Sequence, residues 1–287
     1  MKFNIVLSIL LGIFVSVLPS CSKEMSEENG SGTDSLIVGA DCRLARIVYK
    51  DSSGFISLGS IAANINATDN VVNITEFDSL SNFLVSFASV SINGDTIHVS
   101  PDEYFIANSS TKIISKFHGL VDPGNASSPT YEQVFSYNAG GNLIKKTKSL
   151  SMAPLIPYEQ VDYTYSNGNL VSMQNKNIFT AKLISDASFS FYNTIIPKNY
   201  IYIFADEEDR PQYNQFFNFG KPSVNAVNDF KVRYYDGGGT LIDSAISKFI
   251  NYQQSADTYV QKVQLTGDDQ LSIPAQAGKL QLSYHCK

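Results

Sequence analysis

The sequence predicts an all-β chain: an antiparallel meander of hairpins, drawn into a curled single sheet or a two-layer sandwich. Three observations carry this. The 287 residues include 16 Tyr and 18 Phe but only 17% charged residues, and aromatic and β-branched residues favour strands. Helical periodicity of Leu, Ala and Glu is scarce. Short runs that alternate apolar and polar residues recur between Gly, Asn and Asp turns, the pattern of half-buried strands.

Lys2 and the continuous apolar run Ile5 to Val17 open the chain. The run is shorter than the about 20 residues a spanning helix needs and suits a signal peptide. Ser22 to Asp34 is rich in Ser, Glu and Gly, with Met25 its one large apolar residue. Such a stretch cannot bury surface and reads as a flexible spacer. The expected organisation is a signal peptide over 1–20, a tether over 21–34 and a single β-rich domain with hairpin repeats over 35–287.

Leu18-Pro19-Ser20-Cys21 resembles a bacterial lipobox. The resemblance implies that Cys21 is diacylated, that the peptide is cut just before it and that the new amine is acylated. Several acyl chains make a stable anchor, each buried CH₂ contributing about 0.8 kcal/mol. Ser22-Lys23-Glu24, followed by Glu27 and Glu28, resembles the surface-export signal of Bacteroidetes-type lipoproteins. That implies an outer-membrane protein exposed at the cell surface; the alternative is the periplasmic face.

Within the folded region, Leu44 to Tyr49, Val71 to Phe77 and Phe83 to Ile92 read as strands. Asn93-Gly94 before Thr96-Ile97-His98-Val99 is the strongest local hairpin signal. Lys112 to His118 is a strand and Leu120 to Thr130, with Pro123, Gly124 and Pro129, a loop. Ser149 to Pro157 reads as a loop between two strong hairpins. Phe189 to Tyr192, Tyr200 to Phe204, Asp229 to Tyr235, Ala245 to Tyr252, Tyr259 to Leu265 and Leu280 to His285 complete the strands. Asp206 to Val227 is the least regular segment, a short helix or a packed loop.

The two strong hairpins say the same thing twice. Phe135-Ser136-Tyr137-Asn138-Ala139-Gly140-Gly141-Asn142-Leu143 and Tyr163-Thr164-Tyr165-Ser166-Asn167-Gly168-Asn169-Leu170 align on Gly-Asn-Leu, 168 − 141 = 27 residues apart. Val161, Tyr163 and Tyr165 share one strand face, Asp162 and Thr164 the other. Weaker copies lie at Ile47 to Ile56 and Val232 to Leu241. These units resemble the YD (Rhs-type) repeat, which implies hairpin geometry. The chain departs from the large Rhs toxins in its length, its uneven spacing and the lack of a toxin-like tail. Leu280 to Cys286, with Asp41-Cys42-Arg43-Leu44 and Gly220-Lys221-Pro222-Ser223, resembles uncharacterised DUF4595-like lipoproteins, a resemblance that implies no activity.

Of three Cys, Cys21 is the lipid site, leaving Cys42 and Cys286. In an oxidising compartment such a pair is expected to bridge, stapling the first strand to the last. Closing a loop of 286 − 42 = 244 residues contributes about 5 kcal/mol in the chain-entropy picture. The alternative is two free thiols. No C-x-x-C is present, so redox or zinc-ribbon chemistry is unsupported.

Catalytic patterns are sparse. His98, His118 and His285 stand singly and read as structural or surface residues. Gly220-Lys221 has Gln215 where a P-loop needs Gly, and no G-x-S-x-G occurs. Asp206-Glu207-Glu208-Asp209 lacks the spacing of an EF-hand. No cofactor or metal is expected. A net charge of −6 argues against nucleic acid. Phe216, Phe217, Phe219 and Tyr213, in the irregular segment, are the candidates for an exposed aromatic surface that binds a glycan or an envelope protein. Asp78-Ser79-Leu80 and Asp243-Ser244-Ala245, with Asp34-Ser35-Leu36 and Asp95-Thr96-Ile97, resemble the O-glycosylation acceptor of Bacteroidetes-type exported proteins. The reading is an envelope lipoprotein with a non-catalytic binding or scaffolding domain. The alternative is a surface-polymer hydrolase whose paired carboxylates come from separate strands.

Overall fold

The computed structural model describes residues 42–122, 125, 127–151, 155–198, 213, 215–267 and 278–286. They belong to one compact unit spanning Ser35–Lys287. Cys21, the segments 1–20 and 21–34 expected to be signal peptide and tether, Tyr200 to Phe204 and the acidic run Asp206 to Asp209 lie outside the described residues.

The fold is built of strands: β1(Cys42–Lys50), β2(Ser57–Ile65), β3(Val71–Asp78), β4(Phe83–Ser89), β5(Ser91–Asn93), β6(Thr96–Ser100), β7(Glu103–Ala107), β8(Ile114–Leu120) and β9(Thr130–Tyr137). There follow β10(Leu143–Leu150), β11(Ile156–Ser166), β12(Asn169–Asn177), β13(Leu183–Phe191), β14(Val227–Tyr235), β15(Leu241–Gln254), β16(Val260–Gly267) and β17(Lys279–Cys286). All 17 form a single sheet, so of the two arrangements open to the sequence the chain takes the curled single sheet. Consecutive strands pair antiparallel, and β17 returns to pair with β1.

The exception is the junction of β4 and β5. β4 pairs with β3 and β5 with β6, and only Val90 separates them, its N–H still donating to Val72 O (2.9 Å). The two pieces are one strand held from opposite sides in its two halves. Counted so, the described residues form a ring of 17 − 1 = 16 strands, and an even number is what an all-antiparallel ring requires.

Turn chemistry explains the meander. At Asn66, Asn138 and Asp236 the residue's carbonyl accepts from the N–H three residues on, and its side chain accepts from the N–H four residues on. The third residue on is Asp69, Gly141 or Gly239, each with φ between 65° and 88°. This is the three-residue hairpin loop with one left-handed position. The second strong hairpin turns differently: Asn167 (φ 48°) and Gly168 (φ 77°) form a two-residue loop of the primed kind. Identical Gly-Asn-Leu triplets thus follow two loop lengths, and Leu143 and Leu170 are buried after both.

The core is one cluster drawn from every strand except β5. Phe230, Val232, Phe249, Val161 and Met173 are fully buried, each such side chain contributing about 1.5–3 kcal/mol against its ordering entropy. The opposite face mixes exposed apolar residues, Phe87, Val134, Ile184 and Ile246 among them, with charged ones. On β14, Lys231 and Arg233 are exposed between buried residues, as is Lys248 on β15 and Lys262 on β16. Ion pairs Arg233–Asp186 (2.7 Å), Lys116–Glu132 (3.0 Å) and Lys176–Asp162 (3.5 Å) lie on the outer face of the wall. The wall is mostly apolar inside and carries its Lys and Arg ion-pair partners outside.

Strands β2 and β7 went unread in the sequence, and Pro157 lies within β11 rather than ending a loop. Pro157 is tolerated because the β10–β11 register shifts between Lys148 and Ser149, opposite it.

Candidate functional site

Strand direction sorts every connection to one of two ends. Cys42, the turns 66–70, 108–113, 138–142, 167–168 and 255–259, and the long connection from β13 to β14 fall at one end. The turns 51–56, 79–82, 178–182 and 236–240 fall at the other.

At the first end the β13–β14 connection is a strap. Ile114 N–H donates to Asn218 O (2.8 Å), Lys221 N–H to Gly141 O (2.8 Å) and Val224 N–H to Gly168 O (3.2 Å). Asn169 and Asn225 bond to each other twice, at 2.9 Å each. Arg43 donates to Phe216 O (2.6 Å) and Asp69 O (2.8 Å). Burial lowers the Arg43 guanidinium pKa, and the nearby Asp69 carboxylate pulls it partly back. Earlier on the same strap, Lys198 N–H donates to Thr258 O (3.1 Å). One segment therefore ties five hairpin turns together.

That strap overturns the aromatic-surface expectation. Phe216 and Phe219 are 2% exposed, and Phe217 and Tyr213 are also buried. Phe219 packs on Phe135 (5.3 Å between centroids), and Phe217 and Tyr213 on Phe105 (5.2 and 5.6 Å). The rings point down into the barrel because the backbone hydrogen bonds hold the strap over the core, so they plug the end and offer nothing to a ligand. Phe189 is likewise buried. Gly220-Lys221 serves this strap and cradles no phosphate: a Cβ on Gly220 would lie 2.5 Å from Gly141 O.

Cys42 and Cys286 face each other in the β1–β17 ladder and are bonded, their Cα atoms 4.0 Å apart. Cys42 N–H donates to the Tyr259 hydroxyl (2.9 Å). His98 and His118 flank Tyr104, at 5.6 and 4.9 Å between ring centroids. Among the described residues no group of three or more His, Cys, Asp or Glu is placed to hold a metal ion. Of the acceptor-like triplets, Ser79 is bonded to Ser57 (3.1 Å), while Ser244 is exposed.

The interior holds a polar patch that sequence reasoning missed. In register across β9 to β13 run Phe135, Lys146, Val161, Asn175 and Ser185, and beside them Gln133, Lys148 and Glu159. Gln133, Lys146, Glu159, Asn175 and Ser185 are all buried. Asn175 Nδ2 donates to Glu159 Oε1 (2.6 Å), while Asn175 Oδ1 is buried without a hydrogen-bond partner. Lys148 Nζ lies 4.7 Å from the centre of the Tyr131 ring. Alternation signals this patch, since Glu159 lies two residues before Val161 on its inward parity.

No family model matches the chain, and neither does any curated protein. Several solved structures share its fold, two porin-like proteins among them. A porin-like protein from Bacteroides uniformis superposes with a TM-score of 0.57 at 11% identity, over 85% of this chain and 98% of that one. A porin-like protein from Bacteroides vulgatus gives 0.50 at 12%, over 85% and 99%.

Proposed function

We propose that the chain is an exported protein of the bacterial cell envelope, held to the outer membrane by lipid on Cys21, whose barrel binds or scaffolds and does not conduct. The observation that carries this is the polarity of the wall. A membrane-spanning barrel turns an apolar band outward and a polar lumen inward. Here Arg233, Lys231 and Lys262 point outward, and each Arg or Lys at a bilayer midplane would cost about 2–4 kcal/mol. Inside, Phe230, Phe249 and Val161 are fully buried, beside a buried polar patch of Gln133, Lys146 and Glu159. The likeness to porin-like proteins supports an envelope location and a barrel fold, and the lipobox-like Cys21 supplies the attachment that the wall does not. Ser22-Lys23-Glu24 favours the cell-surface side.

A Cys21→Ser chain separates the two ways of sitting in an envelope. The lipid reading expects the variant to leave the membrane fraction for the soluble fraction without detergent. A variant that still needs detergent for extraction would mean that the wall itself is embedded.

A further inference from the structure

We propose that the end of the barrel opposite the strap rests on a lipid bilayer, its apolar turn tips set among zwitterionic headgroups. The inference extends the lipid-anchor reading and rests on it. Its starting point is a difference between the ends. At the strapped end the hairpin tips are small and polar, with Ala67-Thr68 between β2 and β3, Ser109-Ser110-Thr111 between β7 and β8 and Ala139-Gly140 between β9 and β10, and the exposed apolar residues there, Ile196 and Val224, lie on the strap. At the opposite end Phe55, Leu80, Val121, Leu155, Phe179 and Ile242 are all exposed, Phe55 at 88% and Phe179 at 68%. Five come from separate connections around the ring and Ile242 from the start of β15.

Apolar tips spread around a ring fit an extended surface better than a peptide, which wants a groove, or a small ligand, which wants a cavity. The backbone behind the tips is ready to lose water. Asp51 accepts from the N–H groups of Gly54, Phe55 and Ile56, Asp78 from Leu80 and Ser81, and Asn177 from Thr180. Donors satisfied within their own turn do not oppose transfer to an interface. Lys182 and Lys279 are turned onto the carbonyls of Gly237 (3.1 Å) and Ser53 (2.9 Å). At the same end Asp236 is exposed, and Asp51 and Asp78 are half-buried. That balance suits the ammonium of a zwitterionic headgroup and opposes an anionic surface. Chain length permits the arrangement: 42 − 21 − 1 = 20 residues separate Cys21 from Cys42, enough to reach about 65 Å, against about 30 Å for a nine-residue strand.

The chain contains no Trp, so one introduced Trp is a unique reporter. The full lipidated protein, carrying either Phe179→Trp at the tips or Ile196→Trp on the strap, is reconstituted on phosphatidylcholine vesicles with brominated acyl chains. The expected result is co-sedimentation of both, strong quenching of Trp emission in the first and none in the second, with weaker quenching when phosphatidylglycerol replaces half of the lipid. Co-sedimentation with the tip reporter unquenched overturns this inference and leaves the lipid anchor standing; the tips then face a protein. Failure to sediment, with neither reporter quenched, removes both.

Discussion

The two ends of this barrel are built from the same kind of turn and put to opposite uses. At the strapped end the turn-capping side chains are Asn66, Asn108 and Asn138, and the strap from Phe216 to Ala226 hydrogen-bonds to hairpins of that end. At the far end three of the caps are carboxylates, Asp51, Asp78 and Asp236, and apolar tips project beyond them. Neutral amides suit an end closed by packing, because no charge has to be desolvated there. Carboxylates give stronger caps where water or headgroups solvate them. One end is thus a structural closure and the other a presented surface.

The comparison breaks most sharply in the core. Phe219→Ala removes a ring packed on Phe135 and Phe105 and should destabilise by about 3–5 kcal/mol. Phe179→Ala at the far end should change stability by less than about 0.5 kcal/mol. Urea denaturation of the two variants checks this, and equal effects would erase the distinction. Next in size is the bridge at the strapped end. Reduction, or Cys286→Ser, should cost about 2–5 kcal/mol, read as a lower denaturation midpoint.

Glycines sharpen the contrast further. Gly239 in the far turn has φ +88° and open space where a Cβ would sit, so Gly239→Ala should cost only the left-handed conformation, about 1–2 kcal/mol. Gly220 in the strap has φ +90°, and a Cβ there would also meet Gly141 O and Tyr137. Gly220→Ala should therefore cost more than Gly239→Ala, with thermal melting as the readout.

The smallest effect is in pH. Hydrogen bonds within their own turns hold Asp51, Asp78 and Asp236 below the ordinary carboxyl value of 3.8. A carboxyl depressed in the folded state contributes stability above its unfolded pKa, and loses it as pH falls through the folded one. Acid below about pH 4 should therefore loosen the far end before the Asn-capped end. Amide hydrogen exchange of the turns 51–56 and 236–240 against 66–70 and 138–142 measures this, and Asp236→Asn should remove the acid sensitivity of its own turn.

Much of the wall was legible. Asn93-Gly94, Gly140-Gly141 and Asn167-Gly168 marked three hairpins, and Phe83 to Ile92 read as the one strand that β4 and β5 together make. The cysteine count anticipated the bridge that closes the ring. The failures have a common physical cause. Phe216, Phe217 and Phe219 have no strand alternation to assign them a side, and only the strap's bonds to turns far away in sequence turn them inward. β2, as Ser57-Leu58-Gly59-Ser60, carries small residues that blur period two, and β7 is only five residues long. The buried Lys146 is displaced by the register shift between Leu143 and Lys145, which reverses the parity that counting along the strand would give.

Planar-bilayer recording with the full lipidated protein tests the outward-charged, non-conducting barrel most directly. The account predicts that protein tethered to the bilayer leaves its conductance at the lipid baseline, at either polarity. Stepwise channel openings would contradict it, because they require both a spanning wall and a water-filled lumen.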